Sequence, residues 1–286
     1  MGSKLLQAIL LGVVQGIGEF LPISSSGHLV VITELLKRYF GVAVAEDTTA
    51  MVIALHVGTL FSILVVYRHE LITIWRRPRL VLLVILGTIP AAVVGLTLKS
   101  KLEATFHSPL LVGCGWLLTA ITLTISQRLE RGTKSVDTLH PWSALVIGMF
   151  QMLSVVIRGF SRSGSTISGG LLCGLKRESA AEFSFLLAIP AIGGAALVES
   201  RHALMSLLRG TPVSDPTKSI AAGDVVPMLV GTLVSFVVGV LVLKVLLRLI
   251  SRGKLYWFAI YCAVIGVTTI IWQIAEHFLI PAAAAG

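Results

Sequence analysis

Two short polar segments interrupt a largely apolar sequence, and the second has the residue types that bind phosphate. Residues 161–166 read SRSGST. Hydroxyl groups and glycine at the start of a helix leave backbone N–H groups free to bind an anion, which the helix dipole also favours. Arg162 adds a planar guanidinium that binds phosphate oxygens in a forked geometry. We interpret the segment as a phosphate-binding site; the alternative is helix capping, with Arg162 paired to a glutamate.

The first polar segment contains groups that could catalyse a reaction at such a phosphate. Gln15 and Glu19 are four residues apart and share one face of a helix, and residues 24–28 read SSSGH. A carboxylate, a hydroxyl and an imidazole together supply an acid/base group and a nucleophile. A glutamate among oxygen ligands also binds Mg²⁺ or Ca²⁺ alongside a diphosphate. The alternative is a polar network that only stabilises a broken helix, but the second segment favours a catalytic site.

The composition places both segments in a membrane protein. Of the 286 residues, 55% are hydrophobic and 13% are charged, whereas soluble domains contain about 25% charged residues. The hydrophobic residues form long blocks, and a membrane span needs about 20 apolar residues. We predict six spans, at about 47–67, 79–98, 109–127, 178–200, 224–247 and 256–280.

Two further apolar regions are too short and too broken to be ordinary spans. Residues 4–40 and residues 142–176 each contain two apolar stretches of about 14–18 residues, which is marginal for a bilayer crossing. Polar breaks at 21–28 and 158–164 separate these stretches. Broken backbone at membrane depth is tolerated only inside protein or against a wet cavity. We therefore predict two re-entrant hairpins, each of which enters and leaves on the same face.

A hairpin followed by three spans occurs twice along the chain. Because three crossings are an odd number, the second set starts on the opposite face, which predicts an inverted repeat whose hairpin tips meet near the midplane. The predicted fold class is an all-α polytopic membrane protein, a single domain over 1–286 with repeats at 1–130 and 140–281. Two sequence matches support the repeat: SSSG follows GVVQ at 12–15, and SRSG follows GMFQ at 148–151.

Few charged residues lie at membrane depth, where charge is costly and usually functional. We place four there, Glu19, Arg158, Arg162 and Glu182. His56 lies within the first predicted span, and we interpret it as a buried polar contact or, at most, as a support for the site.

The net charge of +9 comes mainly from short loops between the spans. Basic residues in such loops set the orientation of a membrane protein, so we expect no nucleic acid as a partner. The face with the loops 68–79, 128–140 and 248–255 carries more Lys and Arg than the opposite face. We therefore place that face in the cytoplasm and both termini in the periplasm.

Three segments resemble signatures of the bacterial undecaprenyl-pyrophosphate phosphatases, the BacA/UppP family. Residues 15–28 resemble its first signature, residues 159–166 its second, and residues 182–190 the stretch that follows. The resemblance extends over essentially the whole chain. It implies an enzyme of the bacterial inner membrane that hydrolyses a polyprenyl diphosphate, undecaprenyl diphosphate, to the monophosphate and so recycles the lipid carrier of cell-wall sugars.

The resemblance also implies roles for individual residues. Glu19, Ser25, His28 and Arg162 match catalytic positions, and the nucleophile is left open between Ser25, His28 and water. A divalent cation, Mg²⁺ or Ca²⁺, is implied as cofactor with Glu19 as its ligand, and the site is expected to open toward the periplasm. Ser161, Ser163 and Thr166 match phosphate contacts of the family. We add Gln15, Ser24 and Ser26, which share the first polar segment with Glu19, as candidate substrate-binding residues.

Two positions depart from the family pattern. Gln15 stands where many members have glutamate, and because an amide is not a base, the acid/base role falls to Glu19 and His28. Arg158 stands where the family usually has proline. This second cation could add phosphate affinity, pair with Glu19 or Glu182, or turn to the cytoplasmic interface.

The same architecture suits a rival function, a transporter or flippase for a polyprenyl phosphate or a related lipid phosphate. Inverted repeats with opposed broken hairpins are a common transporter plan, and substrate binding needs the same phosphate site but no nucleophile. The sequence leaves a homodimer open as well.

Overall fold

The computed structural model describes residues 2–40, 49–98, 108–209 and 225–279, and this part of the chain is predominantly helical. Proline at the first helical position starts three of the helices, where its fixed φ suits the helix and its missing N–H costs nothing. The helices are α1 (Gly2–Gly18), α2 (Ser25–Phe40), α3 (Thr49–Val66), α4 (Arg68–Thr73), α5 (Pro78–Thr97), α6 (Pro109–Arg128), α7 (Pro141–Val156), α8 (Arg162–Leu172), α9 (Arg177–Arg209), α10 (Val225–Ser251) and α11 (Tyr256–Leu279).

Five helices in the described part of the chain, α5, α6, α9, α10 and α11, are long and apolar enough to cross a membrane. A sixth candidate arises if α3 and the segment after it count as one span, which is bent by 71°. Exposed Leu, Ile and Val side chains cover the outer faces of α5, α10 and α11. Apolar surface of this extent is unusual in water and normal in lipid. The protein is therefore an all-helical, multi-pass membrane protein.

The observed helices follow the predicted spans to within a few residues at most ends. The exceptions are α9, which continues to Arg209 beyond the predicted end at 200, and α10, which reaches Ser251. Polar and charged residues end the apolar block of each of these helices, but Glu, Arg and Leu are good helix formers and do not stop the helix itself. The predicted segment ends at 1, 47, 224, 280 and 281 lie outside the described residues.

The first polar break is a tight turn over residues 19–24, between α1 and α2. Gly18 lets the two arms touch there, because a Cβ atom on it would lie 2.7 Å from Ser25 Cα. Ser24 has a left-handed backbone, with φ of 66°, which is uncommon outside glycine. Its hydroxyl accepts a hydrogen bond from Gly27 N at 3.3 Å, so it caps α2. The predicted break at 21–28 is therefore too long, because the helix already begins at Ser25.

The second break, over residues 157–161, is equally short. Gly159 has φ of +87°, and a Cβ atom on it would lie 2.3 Å from the Val112 carbonyl oxygen of α6, so only glycine fits. Ser161 caps α8 by accepting from Gly164 N at 3.1 Å, and Arg162 thus begins the helix instead of lying in the predicted break at 158–164. With 11 residues, α8 is about 16 Å long, far shorter than the roughly 30 Å hydrocarbon layer.

Packing between the other helices brings the two breaks together. α1 packs along α10, α7 along α5, and α6 along α11, while α3 lies against α9. Both α2 and α8 contact α6. The second arm of each hairpin therefore rests on the same helix, which places the two tips side by side.

Buried aromatic side chains fix the tips in place. Phe20 and Tyr67 each pack against Phe185 of α9, with ring centroids 5.9 Å and 6.0 Å apart. On the other side, the fully buried Trp116 of α6 donates from Nε1 to the Ile23 carbonyl oxygen at 2.7 Å. The first tip is thus clamped between α9 and α6 by apolar contact and by a buried hydrogen bond.

Candidate active site

The two hairpin tips touch through polar side chains. Arg162 Nη2, from the start of α8, donates to Glu19 Oε1 at 2.7 Å. One residue further on, Ser163 Oγ donates to the Leu21 carbonyl oxygen at 3.0 Å. Residues more than 140 positions apart in the sequence therefore form one site, and the predicted approach of Arg162 to Glu19 is confirmed.

Glu19 is the centre of a buried hydrogen-bond network. Its side chain is 7% exposed, and a buried carboxylate is tolerated only when it is paired and hydrogen-bonded. Besides the bond from Arg162, Oε2 accepts from Ser25 Oγ at 2.8 Å and from Gln15 Nε2 at 3.0 Å. His56 Nε2 lies 3.7 Å from the same oxygen. The acid/base group, a hydroxyl and a guanidinium are thus held in mutual contact.

A cavity of about 350 Å³ opens beside this network. One part of its wall is polar and comes from the two tips, and the other part consists of Val, Ile and Ala side chains from α3, α5 and α9. This combination suits a ligand with an anionic end and an apolar end. The polar residues lining it are Glu19, Ser24, Ser25, Ser26, His56, Gln151, Ser154, Ser161 and Arg162.

Six of the predicted site residues line the cavity, and four lie outside its lining. The hydroxyl of Ser163 bonds to the opposite tip, and that of Thr166 bonds to the Arg162 carbonyl oxygen and to Ser184 of α9. Gln15 lies behind Glu19. The capping alternative is thus realised in part, because Ser161 caps α8 and Arg162 pairs with Glu19, but both residues also line the cavity.

His28 is the fourth of these residues, and it faces α11. Its Nδ1 lies 2.8 Å from the Ser24 carbonyl oxygen and its Nε2 lies 2.7 Å from the Tyr261 hydroxyl. A carbonyl oxygen can only accept, so Nδ1 carries the proton and Nε2 accepts from Tyr261. The ring also stacks on Tyr261 and meets Trp116 edge-on. The structure brings Glu19 together with other site residues, but it holds both nitrogens of His28 elsewhere.

Sequence reasoning missed three cavity residues, His56, Gln151 and Ser154. His56 donates from Nδ1 to the Val52 carbonyl oxygen at 2.8 Å, because that oxygen can only accept, and this bond leaves Nε2 directed at Glu19. Its position inside a predicted span could have indicated a role in the site, because ionisable residues within spans are usually functional. Gln151 was visible as the repeat partner of Gln15.

Two charged residues that we placed at depth lie away from the cavity. Glu182 Oε1 accepts from Arg77 Nη1 at 3.3 Å, near the loop that precedes α5. Arg158 is not among the lining residues, and its carbonyl oxygen packs against α6, where a Cβ atom on Gly115 would meet it at 2.1 Å. The positive charge in the cavity wall therefore comes from Arg162.

Comparison with known proteins agrees with this arrangement. The family model described as "Bacitracin resistance protein BacA" matches residues 8–268. A protein of Carboxydothermus hydrogenoformans named undecaprenyl-diphosphatase is 38% identical over 274 residues, which cover 95% of this chain and 98% of the relative. Proteins of the same name from Rhodopirellula baltica and Bacteroides fragilis are each 38% identical, over 94% and 93% of this chain and 98% and 97% of their own lengths. The chain belongs to the BacA family of bacitracin resistance proteins.

Proposed function

We propose that this protein hydrolyses undecaprenyl diphosphate to the monophosphate and inorganic phosphate, in the cavity between its two hairpin tips. The observation that carries the proposal is the contact of Arg162 with Glu19 beside Ser25, in a polar cavity walled by apolar helices. The relatives named undecaprenyl-diphosphatase, at 34–38% identity over nearly the whole chain, support the same activity.

The two parts of the cavity match the two parts of this substrate. Arg162 and the start of α8 favour the diphosphate, because a guanidinium and a helix N-terminus both attract phosphate oxygens. The wall formed by residues such as Val52, Ile53 and Ile192 is apolar and suits the first prenyl units. The rest of a long prenyl chain lies in lipid, which surrounds the spanning helices.

Binding of the diphosphate would free the catalytic base. In the structure, Arg162 is engaged by Glu19. Phosphate oxygens compete for the guanidinium, and as it turns to them Glu19 loses its strongest partner and becomes more basic. The base would thus become active when substrate is present.

Ser25 is the hydroxyl that Glu19 is placed to activate. Its Oγ donates to Glu19 Oε2 at 2.8 Å, which is the nucleophile-and-base contact that covalent catalysis requires. We propose that Ser25 Oγ attacks the terminal phosphorus while its proton moves to Glu19 and the bond to the bridging oxygen breaks. The prenyl monophosphate leaves, and water then hydrolyses the phosphoserine to release inorganic phosphate. Arg162 stabilises the charge on the transferred phosphoryl.

A divalent cation, Mg²⁺ or Ca²⁺, stays part of the proposal. In the described part of the chain, His, Cys, Asp and Glu residues form no group of three or more that could hold a metal, and Glu19 is the one carboxylate that lines the cavity. Gln15 Oε1 has no hydrogen-bond partner among the described residues, but Gln15 lies outside the cavity lining. This donor set suits an ion that arrives on the diphosphate, as Mg²⁺ commonly does. Bound there, the ion would neutralise diphosphate charge.

We further propose the inverted repeat, with six spans and two re-entrant hairpins. Related helix pairs support it, because α1 packs on α10 as α7 packs on α5. Each of these helix pairs has a close backbone approach at a glycine. A Cβ atom on Gly12 of α1 would lie 2.8 Å from the Gly231 carbonyl oxygen of α10, and a Cβ atom on Gly148 of α7 would lie 2.3 Å from the Gly87 carbonyl oxygen of α5. Gly12 and Gly148 are the glycines that begin the two matching sequence segments.

The location follows from charge and family. We propose the bacterial inner membrane, with both termini in the periplasm, because basic residues concentrate in the loops on the opposite face. The homodimer and the absence of a nucleic-acid partner stay predictions from the sequence.

Phosphate release in detergent tests this function against lipid transport. Purified protein should release inorganic phosphate from undecaprenyl diphosphate in micelles, where no second compartment exists, and EDTA should lower the rate. Arg162→Ala should abolish the release. A wild-type protein that moves the lipid across vesicle membranes but releases no phosphate would overturn the proposal in favour of the transporter.

A further inference from the structure

Gln151 of α7 has an unusual environment. Gln151 is only 1% exposed, and neither Nε2 nor Oε1 of its amide has a hydrogen-bond partner within the described chain. It nevertheless lines the cavity between the hairpin tips. Buried amides are almost always bonded, because an unbonded one has lost its water without compensation. A side chain of this kind calls for a ligand that satisfies it.

The glutamine at the matching position of the first hairpin has a hydrogen-bond partner that Gln151 lacks. Gln15, 136 positions earlier, is also buried, but its Nε2 donates to Glu19 Oε2 at 3.0 Å. Among the described residues, no carboxylate bonds to Gln151 in this way. One glutamine of the pair therefore supports the base, while the amide donor of the other has no hydrogen-bond partner in the part of the chain that the structure describes.

A second unused donor belongs to the same cavity. Arg162 Nη2 bonds to Glu19, but Arg162 Nη1 is buried and has no partner among the described residues. Two unsatisfied donors on residues that line one cavity call for a ligand with several acceptor oxygens. A diphosphate has such oxygens on both of its phosphoryl groups, and a buried N–H donor to a charged oxygen is a strong contact.

We infer that Gln151 is a substrate-binding residue that donates from Nε2 to the phosphoryl group attached to the prenyl chain. Ser25 and Arg162 both donate to Glu19, so the transferred phosphoryl lies at these three residues. Gln151 is bonded to none of them, which leaves it for the other phosphoryl. The inference rests on the proposed diphosphatase function and adds to it a contact that recognises the lipid-linked phosphate.

The test is Gln151→Leu, which keeps the size of the side chain and removes the amide. Loss of a hydrogen bond to a charged oxygen should raise KM for farnesyl diphosphate, a short-chain substrate, by about 10- to 100-fold. Inhibition by farnesyl monophosphate should weaken to a similar extent. Inhibition by orthovanadate, which mimics only the transferred phosphoryl, should stay as in the wild type.

Thermal unfolding without ligand separates binding from a structural role. Since the amide has no partner within the described ranges of the chain, Gln151→Leu should unfold at the same temperature as the wild type or at a higher one. The matched control is Gln127→Leu on α6, whose Nε2 donates to the Leu123 carbonyl oxygen at 3.2 Å and which does not line the cavity. Its KM and both inhibition constants should be unchanged.

Three results would overturn the inference: an unchanged KM in Gln151→Leu, a loss of thermal stability that parallels its loss of activity, or equal weakening of orthovanadate and farnesyl monophosphate. Its failure is distinguishable from failure of the proposed function. If Arg162→Ala is inactive while Gln151→Leu keeps the wild-type KM, only the role of Gln151 is wrong. If Arg162→Ala stays fully active, the site itself is wrong.

Discussion

The ion pair between Glu19 and Arg162 allows a quantitative test of how the hairpin tips are held together. The two side chains are 7% and 16% exposed, and their closest nitrogen and oxygen atoms are 2.7 Å apart. Removing one partner of a buried pair leaves an uncompensated charge and costs about 3–5 kcal/mol. Because Glu19 keeps its bonds from Ser25 and Gln15, we expect Arg162→Ala to cost about 3 kcal/mol, the lower end of that range. For a chain of this size, that loss lowers the melting temperature by roughly 6–12 °C.

The double variant Glu19→Gln/Arg162→Ala separates stability from catalysis. The neutral amide removes the buried charge, and its oxygen can still accept from Ser25, so more than half of the lost melting temperature should return. Phosphate release should not return, because the base and the guanidinium are both absent; we expect a loss of about a thousandfold or more. Both quantities are measured on the same purified protein, by thermal unfolding in detergent and by a phosphate assay.

An exposed ion pair provides the control. Asp137 pairs with Arg77 near the start of α5, and its side chain is 60% exposed, so Asp137→Ala should change stability by about 1 kcal/mol or less. An Arg162→Ala protein as stable as the wild type would show that the ion pair does not stabilise the contact between the tips. A double variant whose melting temperature is no higher than that of Arg162→Ala would show that the unpaired charge of Glu19 is not the cause of the lost stability.

Three further predictions concern the nucleophile, the second tip and His28. Ser25→Ala should reduce phosphate release by at least about a hundredfold and should lower the melting temperature less than Arg162→Ala does, because Glu19 keeps its ion pair with Arg162. An active variant would show that water attacks directly. Gly159→Ala should destabilise the protein, because its φ is +87° and a Cβ atom would lie 2.3 Å from the Val112 carbonyl oxygen; a wild-type melting temperature would contradict the observed turn. Tyr261→Phe removes the hydroxyl that donates to His28 and should leave kcat/KM unchanged, because His28 lies outside the cavity lining. A large loss of kcat/KM would show that His28 takes part in the reaction.

The sequence was enough to predict an all-helical, multi-pass membrane protein and the approximate positions of its long apolar helices. Long apolar blocks and their flanking arginines mark the spans, and polar breaks within short apolar stretches mark the tips. The approach of Arg162 to Glu19 could be predicted for the same reason, because charges at membrane depth need partners and few are available. The breaks are shorter than predicted because Ser24 and Ser161 cap the following helices, and a cap is part of the helix end and not of the loop.

The directions of individual side chains could not be predicted in this way. His28 shares the first tip with Ser25, but it turns to Tyr261, 233 positions away, and that contact depends on how α2, α6 and α11 pack. Within α8, Ser161 faces the cavity while Thr166 faces α9, a consequence of helix rotation that no residue type reveals. The residue type of Gln151 does not reveal that its amide lacks a hydrogen-bond partner among the described residues. Only the structure shows this.

In the proposed mechanism, Glu19, which pairs with Arg162, is the base of a hydrolytic site between the tips. The decisive measurement is phosphate release from undecaprenyl diphosphate by purified Glu19→Gln, because glutamine preserves the shape of the side chain and removes only its charge and basicity. We predict a loss of about a thousandfold or more relative to the wild type in the same detergent. Phosphate release by Glu19→Gln at the wild-type rate would contradict the account.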